Sequence, residues 1–114
     1  MLIREKKKHY PGKIINEIAE KIKQQYQPEK IILYGSFAYG KPHKDSDIDL
    51  LIIKKTDKRP IDRRIEVRRM ISHLRGQIPF SSIVVTPYEL RERLKIGDQF
   101  FEEIILKGKV LYAG

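Results

Sequence analysis

Residues 47–53, Asp-Ile-Asp-Leu-Leu-Ile-Ile, place two acids at the head of an uninterrupted apolar run. A run this short and this apolar predicts a strand, strongly apolar after its polar start. Strand alternation then sends Asp47 and Asp49 to one face, the face of Leu51 and Ile53, and turns Ile48 to the other. An aspartate sharing a face with core residues needs a reason to be there. Two exposed aspartates closing a loop would explain Asp47 but not Asp49, which lies inside the apolar run.

Two further runs of the same kind flank this one. Ile31-Ile32-Leu33-Tyr34 predicts a buried strand that stops at Gly35-Ser36, and Ser82-Ile83-Val84-Val85 predicts a third. Helical periodicity fills the intervals. Ile14, Ile15, Ile18, Ala19, Ile22 and Tyr26 share one arc of a helix that ends before Pro28. A second helix is expected from Pro60 to Arg75, with Val67, Met70, Ile71 and Leu74 inward and Gly76 as its stop. Thr86-Pro87 opens a third, running to about Lys95. Asp98 caps a fourth, which carries Phe100, Phe101, Ile104 and Ile105 and ends at Gly108. Phe37-Ala38-Tyr39 fits a single helical turn, and Val110-Leu111-Tyr112 an edge strand. The expected fold class is α/β (α+β), a small mixed sheet with helices packed mainly on one face. At 114 residues there is room for one core. Residues 1–10 read as a basic arm and residues 11–114 as a single domain.

Composition narrows the setting. There are no cysteines, so disulfides and thiolate metal sites are excluded. No apolar run approaches the roughly 20 residues that span a bilayer. The N-terminus has basic residues without a following apolar segment, so it is no secretory signal and the cytoplasm is the expected address. The net charge of +9 suits nucleotides, RNA or an acidic partner, and equally a solvated lysine-rich surface.

The paired carboxylates repel each other, and cations between them would relieve that repulsion. Hard oxygen ligands of this type suit Mg²⁺, bound through one or two carboxylates and substrate phosphates. Gly35-Ser36 is the second candidate element. Glycine admits close backbone approach, the start of a helical turn favours phosphate, and the serine hydroxyl adds a hydrogen bond. Gly-Ser alone is a common turn. The spacing of Gly35-Ser36, ten residues, then Asp47-x-Asp49 sets a phosphate cradle beside a metal-binding pair.

On these residues the chain resembles the DNA polymerase β-like nucleotidyltransferase superfamily, and more narrowly the minimal nucleotidyltransferases paired with HEPN-domain proteins. LYGSFAYGKPHKDSDIDLLI, from Leu33 to Ile52, follows the family signature, with Gly40, Ser46 and Leu50 also matching. VVTPYEL (Val84 to Leu90) and GKVLY (Gly108 to Tyr112) resemble the family's tail. The likeness covers roughly residues 14 to 112. It implies a polymerase β-like fold and two Mg²⁺ ions about 3.5–4 Å apart on Asp47 and Asp49. It also implies that Gly35 and Ser36 hold the β- and γ-phosphates of a nucleoside triphosphate, most naturally ATP. An acceptor would attack the α-phosphate and pyrophosphate would leave. By the same resemblance the acceptor is a HEPN-domain toxin, restrained by binding or by transfer of AMP to a tyrosine, which makes this chain the antitoxin.

The sequence departs from the family at one position. Active members carry a third carboxylate just before the VVTP-like segment, where this chain has Ser81 followed by Ser82. Serine is neither an anionic ligand nor an effective base at neutral pH. Glu66 and Glu89 are the candidate substitutes, although neither is on the right strand. The rival reading is a binding module without catalysis, an antitoxin or nucleic-acid-binding subunit acting through its basic surface. Arg64, Arg68 and Arg75 cluster on one side of the second helix, with Arg63 and Arg69 directed elsewhere. His9, His43 and His73 lack metal-ligand spacing. Phe37 reads as core, Tyr39 as a neighbour of the nucleotide, and the C-terminal strand edge as open to a second copy.

Overall fold

A computed structural model of the chain describes residues 11–40, 42–43 and 45–114; the basic arm expected at 1–10, with His9, lies outside them. The chain runs α1 (Gly12–Tyr26), β1 (Lys30–Tyr34), α2 (Ser36–Tyr39), β2 (Ile48–Ile53), α3 (Pro60–Ile71), β3 (Phe80–Val85), α4 (Pro87–Lys95), α5 (Gln99–Lys107) and β4 (Lys109–Ala113). The sheet order is β3-β2-β1-β4. β1 is antiparallel to both β2 and β4, and β2 is parallel to β3, so the sheet is mixed as expected.

Local chemistry sets the element ends. Pro28 disfavours helical geometry at Gln27, which turns into the left-handed region and closes α1. Thr86 and Glu89 form a reciprocal capping box at the start of α4, with Pro87 in its first turn. Asp98 accepts from the N–H groups of Phe100 and Phe101 at the start of α5. Some boundaries differ from expectation: β2 begins at Ile48 and leaves Asp47 just before the strand, and β3 begins at Phe80, two residues early. α3 stops at Ile71 rather than Arg75, although the apolar spacing continues to Leu74. Three-residue turns take over, with Leu74 N–H donating to Ile71 O at 2.8 Å and Ile78 N–H to Arg75 O at 3.1 Å. Leu74 and Ile78 thereby reach the core without helical backbone. Arg75 consequently leaves the helix, and its Nη1 donates to Ile78 O.

The core has two parts, one on each face of the sheet. On the larger side α1 and α3 cover Ile31 and Leu33 of β1, Ile48, Leu50 and Ile52 of β2, and Phe80 and Val84 of β3. On the smaller side Phe101 and Ile104 of α5 meet Ile32, Leu51, Ile53 and Val85, with Leu90 and Leu94 of α4 packed at the rim. The heavier helical layer thus lies on one face, and a lighter second layer covers part of the other. β2, the inner strand beneath both layers, is buried at every position except Asp49.

Arg63 is the one buried charged side chain among the described residues. Sequence reading set it apart from the cluster of Arg64, Arg68 and Arg75 and assigned it no partner. Instead its guanidinium donates to Lys58 O at 2.7 Å, Val84 O at 3.1 Å and both oxygens of Glu89 at 2.7 and 3.1 Å. The fork ties α3, β3 and α4 together, and its hydrogen bonds hold the Glu89 carboxyl below the usual range. Removing Arg63 would leave Val84 O unpaired and Glu89 uncompensated. Because Glu89 is partly solvated, the expected cost of Arg63→Ala lies below that of a fully buried pair, about 2–3 kcal/mol, read from urea unfolding midpoints.

Candidate active site

β2 emerges from under α5 at its N-terminal end, and there Asp49 stands on the lighter face. Cross-strand register fixes its neighbours. Tyr34 lies opposite it on β1 and Ser81 beside it on β3. Paired positions project to the same face, so Tyr34, Asp49 and Ser81 form one row across three strands. Ser81 thus occupies the β3 position adjoining Asp49, where the resemblance expects the third carboxylate.

Gly35 closes the site from the β1 side. Its φ is 78°, in the region that side chains avoid. A Cβ added there would also collide with Oδ2 of Asp49. Glycine is therefore required twice over, for backbone conformation and to make room for a carboxylate fourteen residues away. Gly35 O accepts from the N–H groups of Ala38 and Tyr39, both at 3.0 Å, which winds α2 directly behind the turn. Ser36 is the first residue of that turn and is partly exposed. Gly35→Ala meets both obstacles at once. It is expected to cost about 1–2 kcal/mol of backbone strain and to weaken divalent-cation binding about tenfold through displacement of Asp49, measured by Mn²⁺ titration against circular-dichroism melting.

Asp47 precedes β2 and is exposed. The turn leading to it is locked by Ser46, whose N–H donates to His43 O at 2.9 Å while its Oγ accepts from His43 N–H at 2.8 Å. Burial, and then the charge of Asp47, push the Asp49 carboxyl up to about 6. Burial and the Asp49 charge likewise raise the Tyr34 phenol to about 12. No hydrogen bond or ion pair among the described residues offsets the negative charge of Asp49. A divalent cation would do so, and the half-buried oxygen pair fits one.

The raised value sets a pH dependence. Below about pH 6 Asp49 holds its proton, and a cation must displace it. Cation affinity is therefore expected to fall about tenfold from pH 7 to pH 5, followed by titration calorimetry with Mn²⁺. For the metal-free fold the sign is the reverse. The folded state keeps a proton that the unfolded chain releases near pH 4, so this group's contribution favours folding at low pH and is lost as pH rises to about 6.

The other candidates stand elsewhere. Glu66 takes an ion pair from Lys58 at 3.1 Å, and Glu89 is held by Arg63 beyond the far end of β3. Neither substitutes for a carboxylate at Ser81. Among the described residues there is no group of three His, Cys, Asp or Glu placed to hold a metal. Phe37 is buried in the core and Tyr39 is exposed beside the turn. Sequence reasoning missed two neighbours. Tyr34 had been read only as the end of an apolar strand. Phe100 stands with its ring centroid 5.7 Å from that of Tyr34, edge to face, and extends the row toward α5. Alternation from Ile32 assigns Tyr34 its face, but the register that sets it opposite Asp49 is a property of the folded sheet.

The comparisons with known proteins agree on what this arrangement belongs to. Residues 15–112 match the nucleotidyltransferase domain family. A protein of Methanocaldococcus jannaschii, provisionally named a protein adenylyltransferase, is 39% identical over 104 residues, covering 87% of this chain and 69% of its own length. A second from the same organism, named in the same way, is 32% identical over 102 residues, covering 88% and 96%. Among solved structures, a Sulfolobus solfataricus protein described provisionally as a nucleotidyltransferase superposes with a TM-score of 0.50 at 28% identity over 70% of each chain. A chain of the MntA–HpeT toxin–antitoxin structure, solved as a double aspartate-to-glutamate mutant, superposes with a TM-score of 0.60 at 18% identity, covering 88% of this chain and 73% of that one. The chain belongs to the nucleotidyltransferase domain family and is an enzyme of that class, a family that generally uses a nucleoside triphosphate and a divalent metal. No helix among the described residues is long and apolar enough to cross a membrane.

Proposed function

We propose that the chain transfers AMP from ATP to a hydroxyl of a partner protein, with Asp47 and Asp49 holding Mg²⁺ and Gly35-Ser36 receiving the β- and γ-phosphates. The observation that carries this reading is the Asp49 carboxylate, packed against Gly35 and uncompensated, with the charge of Asp47 beside it. Bound there, the cation would supply charge neutralisation for the triphosphate and for the oxygens exchanged at the α-phosphorus. The residues of this chain position the reactants. Gly35 admits the phosphate chain, Ser36 offers a hydroxyl to it, and the row from Tyr34 to Ser81 borders the acceptor's approach. The acceptor oxygen bonds to the α-phosphorus, the bond to the β-phosphate oxygen breaks, and pyrophosphate leaves. Ser81 cannot take the acceptor proton at neutral pH, so it passes to solvent.

Two findings support a protein acceptor and a toxin partner. Both curated relatives carry the adenylyltransferase name, and the MntA–HpeT structure shares the fold. Its two mutated aspartates are spaced like Asp47 and Asp49. The partner on this reading is a HEPN-domain toxin, and the setting is the cytoplasm. The test is incubation with α-labelled ATP, MgCl₂ and the product of the adjacent gene. Label on the partner that disappears with Asp49→Asn supports the reading. Ser81 favours a second one, a binding antitoxin without catalysis. Inhibition of the partner without label, untouched by Asp49→Asn, would establish that alternative instead.

A further inference from the structure

Tyr34, Asp49 and Ser81 floor the site on the lighter face of the sheet, and α5 crosses that face at the β1 end of the row. The chain reaches α5 by a tight corner. Gly97 takes a φ of 79°, its N–H donates to Leu94 O at 3.1 Å, and Asp98 then opens the helix. The Asp98 carboxylate accepts from Phe100 N–H at 3.0 Å and from Phe101 N–H at 3.4 Å, and it lies 3.7 Å from Arg93. The backbone at Phe100 is thereby fixed by the cap of its own helix.

The two adjacent rings are treated differently. Phe101 is buried in the lighter core, whereas Phe100 is 47% accessible and belongs to neither core cluster. A single exposed aromatic is ordinary on a protein surface. This ring differs in how it is held and in where it stands. Its plane lies at 89° to the Tyr34 ring, with centroids 5.7 Å apart, and at 84° to the Phe101 ring, with centroids 5.4 Å apart. Two edge-to-face contacts set its orientation. Tyr34 is the cross-strand neighbour of Asp49 and directly precedes Gly35. The open part of Phe100 therefore borders the end of the site where the triphosphate is read to lie. Tyr88 is more exposed, but it stands at the start of α4, past the far end of β3.

We propose that Phe100 is the platform for the nucleobase: the base stacks on the open part of its ring, and the site thereby favours purine over pyrimidine triphosphates. This rests on the reading of Gly35-Ser36 and Asp49 as the triphosphate site, and adds the residue that selects its nucleotide. A base is apolar on its faces and polar at its edge. A half-open phenyl ring covers a face and leaves the edge in water. Phenylalanine offers no hydrogen bond, so it reads ring area and not the pattern of donors and acceptors. The fused rings of adenine or guanine cover more of it than the single ring of cytosine or uracil. Position along the row separates this role from that of the acceptor. Phe100 and Gly35 stand at the β1 end, whereas the acceptor hydroxyl belongs at the β3 end, by Ser81.

The test is titration calorimetry of the full chain in MgCl₂ with ATP, CTP and inorganic tripolyphosphate. Wild type is expected to bind ATP about fivefold more tightly than CTP. Phe100→Leu keeps an apolar contact for Tyr34 and removes the platform. It should weaken ATP about tenfold, remove most of the preference over CTP, and leave tripolyphosphate unchanged. Phe100→Trp should hold ATP at least as tightly as wild type. Equal losses for ATP and tripolyphosphate in Phe100→Leu would show that the ring only props Tyr34 and Asp49, and would overturn the proposal. So would unchanged ATP affinity, equal affinity of wild type for ATP and CTP, or a loss that follows Tyr39→Leu in place of Phe100→Leu. A loss of affinity for the partner protein alone also overturns it and assigns the ring to the acceptor. Asp49→Asn judges the underlying site separately. Tripolyphosphate binding that vanishes in Asp49→Asn while ATP ignores Phe100→Leu sinks the platform alone. Tripolyphosphate binding untouched by Asp49→Asn, or no binding of any of the three ligands up to about 5 mM, sinks the triphosphate reading and the platform with it.

Discussion

Asp49→Asn is expected to lower nucleotidyl transfer about a thousandfold and, in the absence of metal, to raise the melting temperature. Both effects come from one carboxylate. Asp49 is the one position of β2 that is not buried, and its charge is opposed by burial and by Asp47. Asparagine keeps the shape and removes the charge. The metal-free fold then no longer bears the cost of an anion beneath a partial cover. After allowance for solvent screening the gain is about 1 kcal/mol, or roughly 4 °C in a domain this size. Calorimetry of both proteins with and without MgCl₂ and ATP separates the two contributions. Wild type should gain stability on adding ligand, and the variant should gain little. A variant that melts lower than wild type without metal would show that the Asp49 charge is satisfied by the fold itself, and would remove the argument that a cation belongs there.

The sequence carried much of this site because a strand's alternation is short-range. Asp47, Ile48 and Asp49 are adjacent, and an acid inside an apolar run is visible without any knowledge of what surrounds it. Caps and turns were readable for the same reason, Thr86 with Glu89 and Gln27 before Pro28 being local matters. Long-range pairings were not readable. Gly35 needs to be glycine partly because of Asp49, and that contact exists only once β1 and β2 pair in one particular register. Arg63 finds Glu89 across 26 residues, and neither position carries a helical or strand signal for the other. The second helical layer was muted because α4 contributes no fully buried side chain, so its apolar residues look like those of any surface helix. α3 was read too long since Leu74 keeps the rhythm of a buried face while its backbone has already left the helix.

Ser81→Asp is expected to raise transfer about a hundredfold, at some cost to the metal-free fold. The register argues for it directly. Ser81 is the β3 neighbour of Asp49 on the same face, partly exposed, so a carboxylate there projects toward the same space. Before metal binds, a third negative charge would push the Asp49 carboxyl further up and cost roughly 1–2 kcal/mol of stability. With a divalent cation present the third oxygen ligand should reverse that loss, tighten cation binding, and give the acceptor hydroxyl a nearby base. The two readings of the chain predict different behaviour. If Ser81 only slows an otherwise complete transferase, the variant modifies the partner faster and needs less MgCl₂ to do so. If the chain is a binding antitoxin, cation affinity rises with no label on the partner, because restoring a ligand cannot supply an acceptor geometry the site does not have. Single-turnover labelling of the partner, set beside Mn²⁺ affinity for wild type and variant, distinguishes them. A correctly folded variant that gains neither affinity nor rate would mean that position 81 does not face the carboxylate pair in solution, contrary to the pairing of β2 with β3.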